Sequence, residues 1–107
     1  MKTLQIKQEH YKSTLVISDD FNATCRIFIY DDDPKTAIIT DLYVNESMRR
    51  NKKATQMIDY AITIAKENGC EAIELKSHED NWIREWYKRL GFKITSQEVW
   101  MRKNLNI

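Results

Sequence analysis

The sequence predicts an α+β domain: a mixed, mostly antiparallel sheet of about six or seven strands flanked by two helices. Three observations carry this. Apolar residues alternate with period two through much of the first 44 residues. The period then changes, and Ile58, Ala61, Ile62 and Ala65 fall at helical spacing. A short apolar run, Ala72 to Lys76, follows that helix, and a strand–helix–strand unit implies a parallel pair joined by a right-handed crossover. No linker, repeat or low-complexity stretch divides residues 1–107, so they read as one domain.

Leu4 to Gln8, Ser13 to Ser18, Thr24 to Tyr30 and Thr36 to Val44 read as the strands of an antiparallel meander. The third alternates cleanly, with Cys25, Ile27 and Ile29 on one face and Arg26 and Phe28 on the other. Asp31–Asp32–Asp33–Pro34 marks the turn before the fourth, because proline fixes its own φ and aspartate favours turn conformations. The first helix is expected from about Arg50. Asn68–Gly69 stops it, since glycine tolerates the left-handed conformation at a helix C-terminus. In Ala72 to Lys76, Ile73 and Leu75 share one face. Ile83, Trp86, Tyr87 and Leu90 at i, i+3, i+4 and i+7 give a second helix, Asn81 to Leu90, stopped by Gly91. Phe92 to Ile94 and Val99 to Met101 form a last strand or hairpin.

With 42% hydrophobic and 31% charged residues, the chain has the balance of a soluble globular protein rather than a disordered or membrane-spanning one. Its longest apolar runs, such as Ile27 to Tyr30, fall far short of the roughly 20 residues that cross a bilayer, so no membrane partner is expected. Met1 to Lys7 lacks the apolar core of a signal peptide. Cys25 and Cys70, far apart in sequence, make neither a disulfide framework nor a zinc site; they read as reduced core thiols of a cytoplasmic protein. A net charge of +1 offers no global field for nucleic acid. Charge is instead segregated locally, with acids at Asp19–Asp20 and Asp31–Asp32–Asp33 and bases at Arg49–Arg50, Lys52–Lys53 and Arg102–Lys103.

The run Arg49–Arg50–Asn51–Lys52–Lys53 stands where the first long helix should begin. A helix N-terminus carries partial positive charge and unpaired N–H groups, so each cation there is unfavourable by about 0.3–1 kcal/mol. A bound anion reverses the sign of every one of those interactions, and phosphate is the obvious candidate. A solvated basic turn is the plainer reading. A nucleic-acid contact is weaker still, because no aromatics interleave with these bases. In the second helix, Trp86 and Tyr87 are core residues by default, although a phenol with a pKa near 10 is protonated at neutral pH and can donate a proton.

Taken together, Asp41–Leu42–Tyr43–Val44, then Arg49–Arg50–Asn51–Lys52–Lys53–Ala54–Thr55, then Asn81, then Tyr87–Lys88–Arg89–Leu90–Gly91–Phe92 resemble the GNAT superfamily of N-acetyltransferases, from about residue 36 to residue 103. In that family a strand leads to an Arg/Gln-x-x-Gly-x-Gly/Ala loop that opens a helix, followed later by an Asn and a Tyr-x-x-x-Gly-Phe ending. The resemblance implies the GNAT-like acyl-CoA N-acyltransferase fold and transfer of acetyl from acetyl-CoA to a small-molecule or protein amine by direct attack. It implies that the backbone of Leu42, Tyr43 and Val44 pairs with the pantetheine arm. It implies that Arg49, Arg50, Asn51, Lys52, Lys53, Ala54 and Thr55 hold the pyrophosphate and that Asn81 contacts the cofactor. Tyr87 would be the general acid and a backbone amide of Leu42 to Val44 the oxyanion donor. Neither a metal nor a covalent intermediate is implied.

Two departures stand out. Lys52 occupies the family's first loop glycine, with Lys53 beside it and Ala54 at the second small position. As a good helix former, Lys52 is expected to enter the helix and turn outward. Only about Glu9 to Lys12 connects the first two strands, where the family usually has one or two helices. That suggests an open acceptor site, a macromolecular acceptor, or a wall supplied by a second copy in a homodimer. Asp41 is the best-placed candidate base, in the sequence Thr40–Asp41 where members acting on polyamine-like substrates often have Glu-Asp. His78, after the crossover strand, is a weaker candidate, and His10 has none of the context. Trp82, Trp86 and Trp100 read as core or interface aromatics. The alternative function is a GNAT-fold module that binds coenzyme A or a partner protein without turnover.

Overall fold

The computed structural model describes residues 2–8, 12–19, 23–45, 52–76, 81–95 and 100–105. Its elements are β1 (Lys2–Gln8), β2 (Lys12–Asp19), β3 (Ala23–Tyr30), β4 (Asp33–Val44), α1 (Lys53–Glu67), β5 (Ala72–Lys76), α2 (Asn81–Arg89), β6 (Lys93–Ile94) and β7 (Trp100–Asn104). The described strands form one sheet in the order β1-β2-β3-β4-β5-β7-β6. Strands β1 to β4 are the antiparallel meander, β4 and β5 are the parallel pair, and β7 returns antiparallel between β5 and β6.

The alternation read from the sequence decides which face is buried. Ile17, Cys25, Ile27, Ala37, Ile39, Ile73, Leu75 and Met101 project from one face of the sheet and form its core cluster. Onto that face α1 packs Met57, Ile58, Ala61, Ile64 and Ala65, and α2 brings Trp86, Tyr87 and Leu90 against the same cluster. Complete burial of one isoleucine such as Ile27 stabilises the fold by about 1.5–3 kcal/mol. The opposite face carries Arg26, Phe28, Ile38, Glu74 and Arg102, with Arg102 Nη1 donating to Glu74 Oε2 at 2.8 Å.

Several boundaries differ from the expectation. The turn between β3 and β4 is only Asp31–Asp32; Asp33 and Pro34 already belong to β4, where Tyr30 pairs with Asp33 and Ile29 with Ala37. The strand bulges there, and a proline, which has no N–H to give the ladder, is tolerated at a bulge. Helix α1 starts at Lys53, not near Arg50. Trp82 is 71% exposed, so it is not a core aromatic. Both cysteines are buried free thiols.

Two features of β4 position the site. Thr40 pairs with Arg26 and Tyr43 with Thr24, so Asp41 and Leu42 together oppose Cys25 in a β-bulge. Asp41 takes φ 53°, a left-handed conformation that aspartate tolerates better than most residues. The parallel ladder with β5 covers only Thr36 to Ile39, which pair with Ala72 to Leu75. Beyond Ile39, β4 stays bonded to β3 but has parted from β5.

Candidate active site

A cleft of about 800 Å³ opens where β4 and β5 part. One wall is β4 from Ile39 to Val44, and the other is α2 with Trp82, Ile83, Trp86, Tyr87 and Arg89. Lys52, Ala54 and Thr55 bring the start of α1 to the cleft, and Leu75 and Lys76 bring the end of β5.

The start of α1 suits an anion. Lys52 is its N-cap residue, makes no side-chain cap, and is followed by a first turn without an acidic residue. The carbonyl of Lys52 accepts from the Gln56 amide at 3.0 Å, so the helical ladder is established immediately after it. Amides of the first turn lie ahead of that ladder and have no intrahelical acceptor. Ala54 and Thr55, whose amides are among these, line the cleft. The expectation that Lys52 enters the helix is overturned. Its φ 59° and ψ 21° are left-handed, the region that glycine reaches without steric cost. The loop therefore has the backbone course of a glycine at this point, with a lysine side chain carried on it.

Tyr87 projects from α2 into the cleft and is half-buried. Its ring meets Phe92 edge-on, with centroids 5.7 Å apart, and lies 4.8 Å from the Trp86 ring. Burial pushes the phenol above its usual pKa, and the nearby Cys25 thiol adds to the shift, so the hydroxyl holds its proton at neutral pH. The turn behind it is tightly bonded: the Tyr87 carbonyl accepts from the Leu90 and Phe92 amides at 3.0 and 3.1 Å. Lys103 Nζ donates to the Leu90 carbonyl at 2.6 Å. That ammonium stands where a side chain on Gly91 would begin, and Gly91 has φ 98°. A cation at the C-terminus of α2 also complements the helix dipole.

Asp41 lines the cleft from the bulge and is exposed. Its carboxylate lies 3.7 Å from Arg26, a partner the sequence reading did not identify. The period-two pattern places Arg26 on the solvent face but carries no cue for a bulge that turns Asp41 towards it. Thr40, also missed, lines the cleft with a buried hydroxyl that has no partner among the described residues. Cys25 sits behind the bulge, and burial pushes its thiol up to about 12, so it is not a nucleophile at neutral pH.

The sequence itself, over residues 2–92, matches the acetyltransferase (GNAT) family model. The chain belongs to the GNAT acetyltransferase family. Acyl transfer is the class of reaction that this membership carries. No curated protein matches the sequence. Among solved structures, the fold resembles a GNAT-family acetyltransferase from Staphylococcus aureus, with a TM-score of 0.70 at 15% identity over 89% of this chain and 68% of that one. An acetyltransferase from Bacillus cereus aligns with a TM-score of 0.65 at 23% identity, over 94% of this chain and 81% of that one. An aminoglycoside 6′-N-acetyltransferase complexed with coenzyme A aligns with a TM-score of 0.67 at 16% identity, over 92% and 76%.

Within this GNAT fold, Asp41, Leu42, Tyr43, Val44, Lys52, Ala54, Thr55 and Tyr87 come together around one cleft. Lys53 opens α1 beside them, and Asn81 opens α2. Arg49, Arg50, Asn51, His10 and His78 lie outside the described residues. Lys76 and Arg89 also line the cleft; Lys76 was not singled out from the sequence, and Arg89 was quoted there without a role of its own. Arg89 was legible in principle, because it lies two helical turns from Trp82 and one turn from Trp86.

Proposed function

We propose that this chain transfers an acetyl group from acetyl-CoA to a primary amine by direct attack in the cleft between β4 and β5. One observation carries the reading. From Thr40 to Tyr43 the β5-facing edge of β4 has no strand partner among the described residues, although the strand continues. An open edge of this kind binds an extended chain by adding it to the sheet. The pantetheine arm of coenzyme A is such a chain, and the start of α1 at the same cleft, where Lys52 makes no side-chain cap, suits its pyrophosphate.

The residues present fit coenzyme A. The backbone of Leu42, Tyr43 and Val44 would hold the amide-bearing arm. Amides of the first turn of α1, with Lys52 and Lys53, would hold the pyrophosphate. Arg49, Arg50 and Asn51 would add charge and hydrogen bonds there, and Asn81 a contact from α2. Acetyl-CoA supplies the activated acyl group. A β4 amide beyond the bulge donates to the thioester carbonyl oxygen, where negative charge develops. Tyr87 would give its proton to the sulfur as the C–S bond breaks and the C–N bond forms, and would be reprotonated from solvent, to which the new amide nitrogen releases its second proton. An ammonium with a pKa near 10.4 must lose a proton before it attacks. Asp41, exposed at the cleft, takes that role and favours a cationic acceptor such as a polyamine, a lysine side chain or a basic N-terminus.

The test is amine-dependent release of the coenzyme A thiol by the full chain. Tyr87→Phe is expected to lower kcat by about 100-fold while leaving coenzyme A affinity within about threefold. Unchanged kcat would return Tyr87 to a packing role. A wild-type chain that binds acetyl-CoA yet releases no thiol with any cationic amine would establish the non-catalytic binding module instead.

A further inference from the structure

A buried hydroxyl without a partner is unfavourable until something completes its hydrogen bonds. Among the described residues Thr40 Oγ1 is such a group, and Thr40 lines the cleft. It is the first residue of β4 past the ladder with β5. Its cross-strand partner on β3 is Arg26. Directly opposed residues share a sheet face, with Cβ atoms about 4.5–5.5 Å apart, so the two side chains start side by side on the face away from the helices. Asp41 follows in the bulge and turns its carboxylate to the same Arg26. At 3.7 Å, with both side chains exposed, that ion pair is weak and is not a hydrogen bond. One corner of the cleft therefore offers a guanidinium and a hydroxyl, which suit a carboxylate, and next to them a carboxylate, which suits an ammonium. A molecule satisfies all three only if its own ammonium and carboxylate lie close together. In an α-amino acid both sit on one carbon. A polyamine leaves Arg26 and Thr40 unanswered, and it meets Lys76 and Arg89 in the cleft lining as like charges.

We propose that the acceptor is a free α-amino acid, with its carboxylate held by Arg26 and Thr40 and its amine by Asp41. This rests on the acetyl-transfer reading above and narrows its acceptor to amines that carry a neighbouring carboxylate. Arg26 and Thr40 are then the residues that set acceptor specificity. The product is the Nα-acetylated amino acid, with coenzyme A released as the thiol.

The test is kcat/KM of the full chain with acetyl-CoA for lysine against cadaverine and for arginine against agmatine, pairs that differ only in the carboxylate. Each amino acid is expected to exceed its decarboxylated form about tenfold or more, because a site built to bond a group rejects the analogue that leaves its donors unpaired. Arg26→Ala should remove most of that preference by slowing the amino acids and not the amines. Thr40→Val should lower kcat/KM for the amino acids about threefold or more. Its Tm should stay unchanged or rise, because a hydroxyl without a protein partner adds nothing to the fold. Equal rates for lysine and cadaverine, or a preference that survives Arg26→Ala, would overturn the proposal and leave acetyl transfer standing. A lower Tm in Thr40→Val with an unchanged preference would overturn the role of Thr40. Thiol release with other amines but none of these four would also overturn the proposal, and release with no amine at all would overturn the parent reading together with it.

Discussion

Lys52→Gly is expected to stabilise this protein, against the usual effect of placing glycine at the edge of a helix. The reason is local. Lys52 has φ 59° and ψ 21° at the N-cap of α1, and its side chain caps nothing. For an L-residue the left-handed conformation costs about 1–2 kcal/mol. Glycine removes that cost but loses more backbone freedom on folding, by about 0.5–1 kcal/mol. The balance is a gain of about 0.5–1 kcal/mol. Unfolding entropy of about 2.1 cal/mol/K per residue converts this, for 107 residues, to a rise in Tm of about 2–5 °C. The control is Gln56→Gly, one turn later on an exposed helical residue, which should lower stability by about 0.8–1 kcal/mol. Thermal unfolding of the three proteins by circular dichroism reads the difference. Equal destabilisation by the two substitutions would refute the left-handed conformation and restore the helical Lys52 that the sequence alone suggests. For coenzyme A, loss of one exposed lysine should change affinity by less than about tenfold.

Gly91→Ala is expected to cost more than Gly69→Ala in the same unfolding assay. Both glycines have positive φ, but only at Gly91 does an added methyl displace Lys103 from the Leu90 carbonyl, and losing that charge-assisted bond should add about 1.5 kcal/mol or more. Similar Tm values for the two variants would show that Lys103 contributes nothing to the end of α2. The buried thiol of Cys25 gives a pH dependence. Burial raises its folded value to about 12, above the ordinary thiol value of 9.0, so stability is fully present below about pH 9 and is lost as the unfolded thiol ionises. Between pH 9 and 11 the loss should approach about 1.4 kcal/mol per pH unit, on top of other groups, and Cys25→Ala should flatten the slope in denaturant titrations. An unchanged slope in that variant would contradict the burial-driven shift.

The fold was legible because the strong signals agree. Period two in Cys25, Ile27 and Ile29, helical period in Ile58, Ala61, Ile62 and Ala65, and the stops at Gly69 and Gly91 each match the element found. Lys52, Ala54, Thr55 and Tyr87, singled out by type and spacing, reach one cleft, while Arg49, Arg50 and Asn51 lie outside the described residues. What escaped depends on backbone detail that side-chain pattern does not encode. Thr36 to Val44 reads as one continuous strand, so neither the bulge at Asp41–Leu42 nor the point where β5 parts company is visible. Lys52 has a helical propensity that the N-cap geometry overrides. Trp82 shares its residue type with core aromatics, and only the rotation of α2 shows that it faces the cleft opening rather than the core. The ion pair between Arg26 and Asp41 follows from the bulge and was hidden with it.

The central claim, a coenzyme A site where β4 and β5 part, is tested most directly by thermal unfolding of the full chain in the presence of acetyl-CoA. A ligand that binds only the folded state at 100 times its dissociation constant adds about 2.7 kcal/mol, which for a chain of this length raises Tm by on the order of 10 °C. The expected result is a Tm that climbs with acetyl-CoA concentration. A Tm that stays fixed up to millimolar acetyl-CoA would contradict the claim.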